Sequence, residues 1–175
     1  MSVSVEERKG AATLRGNEFT VLGTALKVGD TAPDFELAGP GGSTVGLKDS
    51  AGKVRIISTV PSLDTPVCST ETQKWEAQRA DLGDIAMLTA SMDLPPAQAR
   101  WAAEHGVEHS VASSHKNEGF ATDYGVLIRE LRFLQRAVFV VDKNDKIVYV
   151  EYVKDLPSEP DYDKAIEAAR RAAGA

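Results

Sequence analysis

The sequence predicts one α/β domain spanning residues 1–175, on three observations. Strand, helix, strand and helix patterns alternate from Lys53 to His105, an antiparallel strand pair follows late in the chain, and a β-hairpin precedes both. A chain of 175 residues is long enough to bury ~70% of its unfolded surface without disulfide staples.

In chain order, the first ten residues are polar and read as loosely held. Residues 12–22 alternate around Gly16-Asn17 and read as a hairpin with short arms. Residues 28–34 are turn-rich and lead into Phe35-Glu36-Leu37, after which Gly39-Pro40-Gly41-Gly42 forces a turn before residues 43–47. These are hairpin glycines. No Gly-Lys-Ser/Thr follows them, and no G-x-G-x-x-G is present.

Residues 54–60 are rich in β-branched residues and read as a buried strand. A helix is expected over 68–82, a strand over 85–90 and a helix over 96–105; this order calls for parallel strands joined by right-handed crossovers. Residues 107–119 read as a polar loop, and 120–125 as a short helix ending at Gly125. Residues 137–142 and 146–153 pair across the turn 142–145. Pro157 and Pro160 break the chain before an Ala-rich helix over 162–173, with Ile166 and Ala169 or Ala173 toward the sheet.

Composition excludes several functions. Lys and Arg number 20 against 26 Asp and Glu, a net charge of −6, so neither nucleic acid nor an anionic membrane is an expected partner. The N-terminus lacks a hydrophobic signal core and the longest apolar runs are strand-length, which points to the cytoplasm. A single cysteine allows no intramolecular disulfide. His105, His109 and His115 read as solvated loop residues, with no metal or other cofactor required. Trp75 and Trp101 read as core or interface, and Met87 and Met92 as packing. Glu151, Asp155, Glu159 and Asp161 read as surface. No serine nucleophile elbow and no Cys-x-x-Cys pair is visible.

Chemistry therefore converges on Cys68, where the strand over 54–60 turns into a helix. Thr65 and Pro66 suit the N-cap and first helical positions, which puts Cys68 in the first turn, among free N–H groups and at the positive end of the helix dipole. Pro61 and Pro66 fix the backbone around it. An unperturbed thiol near 8.5 is only ~3% thiolate at pH 7, and a value of about 6 requires roughly 3.4 kcal/mol in favour of the anion. A helix terminus supplies ~0.3–1 kcal/mol and at most about 2. A fixed cation must supply the rest, and Arg suits because it stays protonated and can hold a bound oxygen as well as sulfur. The candidates are Arg55, Arg79, Arg100, Arg129, Arg132 and Arg136. Arg136 is preferred, since it stands at the mouth of a buried strand; Arg129 and Arg132 lie in an exposed loop.

The pattern Pro61-x-x-x-Thr65-x-x-Cys68 resembles the active-site motif of the peroxiredoxins, and the chain resembles their thiol peroxidase branch. The likeness extends to residues 15–21, 28–35, 91–101, 136–142 and 159–162, nearly all of 13–170. It implies a thioredoxin-like fold with a central mixed sheet flanked by helices and an N-terminal β-hairpin extension, a homodimer, and reduction of hydrogen peroxide or small alkyl hydroperoxides. It makes Cys68 the peroxidatic cysteine, oxidised to a sulfenic acid. Thr65 would bond thiolate and peroxide, Arg136 would stabilise the charge, and Pro61 would shield the site from water. No cofactor is implied. The branch carries a resolving cysteine in the helix after Asp-Leu-Pro, and the matching position here is Ala102. Three readings stay open: a one-cysteine peroxidase reduced by thioredoxin or another external thiol, a chain in which alanine replaced the resolving cysteine, and a redox sensor or binding protein without turnover.

Overall fold

A computed structural model describes residues 4–174. The elements are β1 (Glu7–Leu14), β2 (Asn17–Leu22), β3 (Glu36–Ala38), β4 (Thr44–Gly46), β5 (Arg55–Thr59), α1 (Pro66–Arg79), β6 (Ala86–Ser91), α2 (Pro95–His105), β7 (Ser110–Ser113), α3 (Glu118–Asp123), β8 (Leu127–Ile128), β9 (Phe133–Leu134), β10 (Ala137–Val141), β11 (Ile147–Tyr152) and α4 (Tyr162–Ala172). A seven-stranded sheet runs β11-β10-β5-β6-β7-β3-β4, and a four-stranded sheet runs β1-β2-β8-β9. The β5–β6 and β6–β7 pairs are parallel and the other pairs of the larger sheet antiparallel, so the expected strand–helix–strand core is present within a mixed sheet.

Alternation along β10 divides the core. Val138 and Val140, with Ile56 of β5, pack under Trp75 of α1 and under Ala165, Ile166 and Ala169 of α4. Ala137, Phe139 and Val141, with Ile57, face Phe120, Tyr124, Phe35 and Leu37 on the opposite side. A smaller cluster at the ends of the parallel strands contains Val60, Leu63, Cys68, Trp101, Val107 and Val111, with Ala102 packed against it. The central strands β5 and β10 are buried along their whole length; β10 reads as an unbroken apolar run, while β5 also buries Arg55, Ser58 and Thr59.

Several expectations are corrected. The polar N-terminus is held from Glu6 onward: Glu6 O accepts the Gly23 N–H and β1 begins at Glu7, which pairs with Leu22, while residues 1–3 of that stretch lie outside the described residues. The hairpin turns one residue earlier than expected, at Arg15-Gly16 (φ +52° and +82°), because a two-residue hairpin of this type needs both central residues left-handed and leaves Asn17 to pair with Leu14. The expected loop over 107–119 contains β7, whose Ser-Val-Ala-Ser sequence offers no apolar run but is buried by β6 and α2. The first long helix starts at Pro66, as Thr65-Pro66 predicts, but ends at Arg79; Leu82 instead closes a tight turn by donating its N–H to Arg79 O. In the same way, the short helix α3 starts at Glu118, where Asn117 caps it by accepting the Phe120 N–H.

Candidate active site

Cys68 is fully buried, in the first turn of α1. Its position follows from the local sequence: Pro66 starts the helix, and the N–H groups of Val67 and Cys68 have no acceptor within it. Thr65 occupies the N-cap position without capping. Its exposed side chain turns back and donates to Ser62 O at 2.7 Å, which leaves the oxygen lone pairs free. Pro61 is buried just beyond β5.

Of the six candidate arginines, Arg136 alone reaches the sulfur: its Nη2 is 3.4 Å from Cys68 Sγ. The sheet explains this. Pairing of Ala137 with Thr59 in the β10–β5 ladder carries Arg136 alongside Val60, where the strand leaves for the Pro61–Cys68 turn. Arg136 is only 1% exposed. Arg55 is also buried, but it sits at the opposite end of β5, held by Asp145 at 2.8 Å and by the Asp142 carbonyl. Arg79, Arg100, Arg129 and Arg132 are paired with surface carboxylates.

The sequence reading missed Glu71. It is fully buried one turn after Cys68, and its Oε2 accepts from Arg136 Nη1. Its Oε1 accepts from Ser58 Oγ at 3.0 Å and from Trp75 Nε1 at 3.2 Å. Spacing of three and four residues places Glu71 on one helix face with Cys68 and Trp75, a face that sequence alone does not mark as buried. Burial pushes the Glu71 carboxyl above its usual range, with Arg136 pulling against it. Burial also works against the Arg136 charge, but Glu71 and then Cys68 outweigh it and raise the guanidinium. Arg136 Nη2 further donates to Leu156 O at 2.8 Å, so the segment ahead of α4 closes the site.

Around the sulfur, Trp101 packs in the same apolar cluster and donates its Nε1–H to Ser69 Oγ at 3.2 Å. Ala102 lies against that cluster.

His105 is the last residue of α2 and stacks its exposed ring on Trp101. His109 is not a solvated loop residue: it is 7% exposed, with Nδ1 2.5 Å from Glu76 Oε2 and Nε2 2.9 Å from Thr89 Oγ1. Burial lowers its pKa despite the neighbouring carboxylate, so the neutral ring donates from Nδ1 and accepts from Thr89. It is thereby committed away from Cys68. No cluster of metal-ligating side chains occurs among the described residues.

Comparison with known proteins adds independent observations. The family model described as Redoxin matches residues 27–166. The chain is 50% identical over 161 residues to the thiol peroxidase of Halalkalibacterium halodurans, covering 91% of this chain and 97% of that protein. It is 45% identical over 159 residues to the thiol peroxidase of Bacillus subtilis, covering 90% and 95%. Among solved structures, a peroxiredoxin-like protein from Aquifex aeolicus superposes with a TM-score of 0.87 at 36% identity, over 93% of this chain and 97% of that one.

Proposed function

This chain belongs to the redoxin family, as a peroxiredoxin of the thiol peroxidase branch with a thioredoxin-like fold, and from that premise we propose how its own residues perform the reaction. The protein is a thiol-dependent peroxidase. Cys68 is the nucleophile. Its thiolate attacks the hydroxyl oxygen of a hydroperoxide and the O–O bond breaks; the attacked oxygen stays on sulfur with its proton as a sulfenic acid, and the other oxygen leaves as hydroxide or alkoxide and takes a proton from solvent to become water or an alcohol. Two electrons pass from sulfur to peroxide.

One observation carries this assignment: a buried guanidinium 3.4 Å from a buried sulfur. It supplies the cation that the helix terminus lacks, and it faces the position where negative charge builds on the departing oxygen. The Val67 and Cys68 N–H groups complete the cradle. The Thr65 hydroxyl, now spent on Ser62 O, keeps lone pairs for a peroxide proton. Pro61 closes the site to water from the β5 side.

With one cysteine in the chain, the sulfenic acid is reduced from outside. A thiol, from thioredoxin or a small molecule, condenses with it to a mixed disulfide and water, and a second thiol releases Cys68. Small hydroperoxides are the substrates, the functional unit is a homodimer of one-domain protomers, and the setting is cytoplasmic. No helix among the described residues is long and apolar enough to cross a membrane.

The test is the rate at which Cys68 consumes hydrogen peroxide, with mass detection of one added oxygen. A rate far above that of free cysteine is expected; a rate no higher overturns the assignment. Ala102 at the resolving position favours a second reading, a sensor oxidised without turnover. Sustained consumption with thioredoxin or a small thiol selects the enzyme, and a single burst selects the sensor.

A further inference from the structure

We propose that Asp93 is a positioning residue for the peroxidase reaction, fixing the turn between β5 and α1 so that Thr65 and Cys68 meet the peroxide in register; this rests on the assignment of Cys68 above. The parallel strands β5 and β6 end side by side, with Thr59 opposite Ala90 and the Val60 N–H bonded to Ala90 O at 3.0 Å. Beyond these ends the chain has few backbone donors, because Pro61 and Pro66 have none. The Asp93 carboxylate holds this turn from the bend that follows β6. Its Oδ1 accepts from Ser62 Oγ at 2.7 Å, and its Oδ2 accepts from the Leu63 N–H at 2.9 Å and from Ser91 Oγ at 2.7 Å.

Both sides of the carboxylate are anchored. Toward the sheet, buried Gln98 donates from Nε2 to Ser91 Oγ and to Ala112 O of β7, each at 2.9 Å. Toward the site, Ser62 O receives the Thr65 N–H at 3.1 Å and the Thr65 hydroxyl at 2.7 Å, and Thr65 O receives the Ser69 N–H at 3.0 Å. Leu63, 2% exposed, packs in the same cluster as Cys68. The network therefore links β7 to both the hydroxyl and the apolar wall next to the sulfur. Loss of the carboxylate leaves the Leu63 N–H without its acceptor and frees the turn that starts the helix.

Chemical role and charge are separable here. In Asp93→Asn the amide oxygen can still accept from Leu63, and the NH₂ group can donate to Ser62 Oγ, which reverses its own role. The test measures second-order rates of peroxide with Cys68 for the wild type, Asp93→Ala, Asp93→Asn, Ser62→Ala and the Asp93→Ala/Ser62→Ala double variant, with thermal unfolding as a control. Asp93→Ala is expected to lose about tenfold or more, the scale on which small misplacements act. Asp93→Asn is expected to stay within about threefold of wild type, and the double variant to be no slower than Asp93→Ala, since both act through one network. If Asp93→Ala does not fold, Ser62→Ala alone decides, with a loss of several-fold expected. A fast wild type with unchanged Asp93→Ala and Ser62→Ala overturns the positioning role only, as does an Asp93→Asn loss equal to that of Asp93→Ala. A wild type no faster than free cysteine overturns the peroxidase assignment and the positioning role with it.

Discussion

Cys68 and Glu71, one turn apart on α1, divide a single guanidinium between them: Arg136 bonds Glu71 through Nη1 and the sulfur through Nη2. This buried cluster holds one cation against two acids, so the protonation of each acid bears on the other.

Removing the cation affects both acids. Arg136→Ala is expected to slow the peroxide reaction by about 10²-fold or more, the scale for deleting one donor to a developing oxyanion. It should also lower the unfolding midpoint, because Glu71 loses its partner. Arg136→Lys, a point charge without the fork, should fall between wild type and Ala. Stopped-flow rates and thermal melts check both effects; an Arg136→Ala rate equal to wild type would remove the arginine from the mechanism.

Neutralising Glu71 leaves the guanidinium charge to the sulfur alone. Glu71→Gln is therefore expected to speed the reaction of Cys68 with peroxide at pH 7, by about threefold to tenfold on the scale of a neighbouring charge. Stopped-flow rates beside the wild type measure it. A slower reaction would mean that Glu71 acts by holding Arg136 in place, not by competing for its charge.

The Glu76–His109 pair predicts acid sensitivity. Burial works against the Glu76 carboxylate, yet bonds from the His109 ring, the His109 and Glu108 backbone and Arg79 hold it at about 2 against an ordinary 4.5. A carboxyl lowered on folding gives stability that is complete above 4.5 and is lost as pH falls toward 2. His109, lowered from 6.5 by burial, acts in the same direction, because below 6.5 the unfolded chain gains the proton first. Denaturation midpoints should fall steadily with acid from about pH 6.5, and Glu76→Gln should be less stable at pH 7 but flatter between about pH 4.5 and 2. Equal slopes for wild type and variant would contradict this.

Ala102 marks where a second thiol can be introduced. It packs against the cluster that contains Cys68, so Ala102→Cys, oxidised with one equivalent of peroxide, is expected to form a disulfide between Cys68 and the introduced thiol. Intact mass falls by two hydrogens relative to the dithiol, and neither sulfur then reacts with an alkylating reagent. A stable sulfenic acid in the variant would show that the first turn of α1 does not bring the two positions together.

The parts of the fold legible in sequence were those with strong local patterns. The β-branched run of β5, the β10–β11 pair and the Pro66 helix start each announce themselves through composition. β7 was hidden because it carries no apolar run: Val111, Ala112 and Ser113 are buried by their neighbours' bulk, and Ser110 is exposed. At the site, Cys68 and its need for a cation followed from charge arithmetic, and Arg136 from its place before a buried strand. Glu71 escaped because sequence gives a lone Glu on a helix no reason to be buried until its three donors are seen. His109 was misjudged for the same reason: its burial depends on Glu76, 33 positions away.

Arg136 and Cys68 are 68 positions apart, and Leu156, which fixes the guanidinium from the other side, lies 20 positions further on. During synthesis the cysteine leaves the ribosome long before the arginine, and β10 pairs with β5 only after both exist. Until then Cys68 is an ordinary thiol on a flexible chain, with neither the cation nor the buried helix turn that would make it react. On the proposed mechanism, the newly made polypeptide thus gains its reactive sulfur only when β10 closes the sheet onto β5.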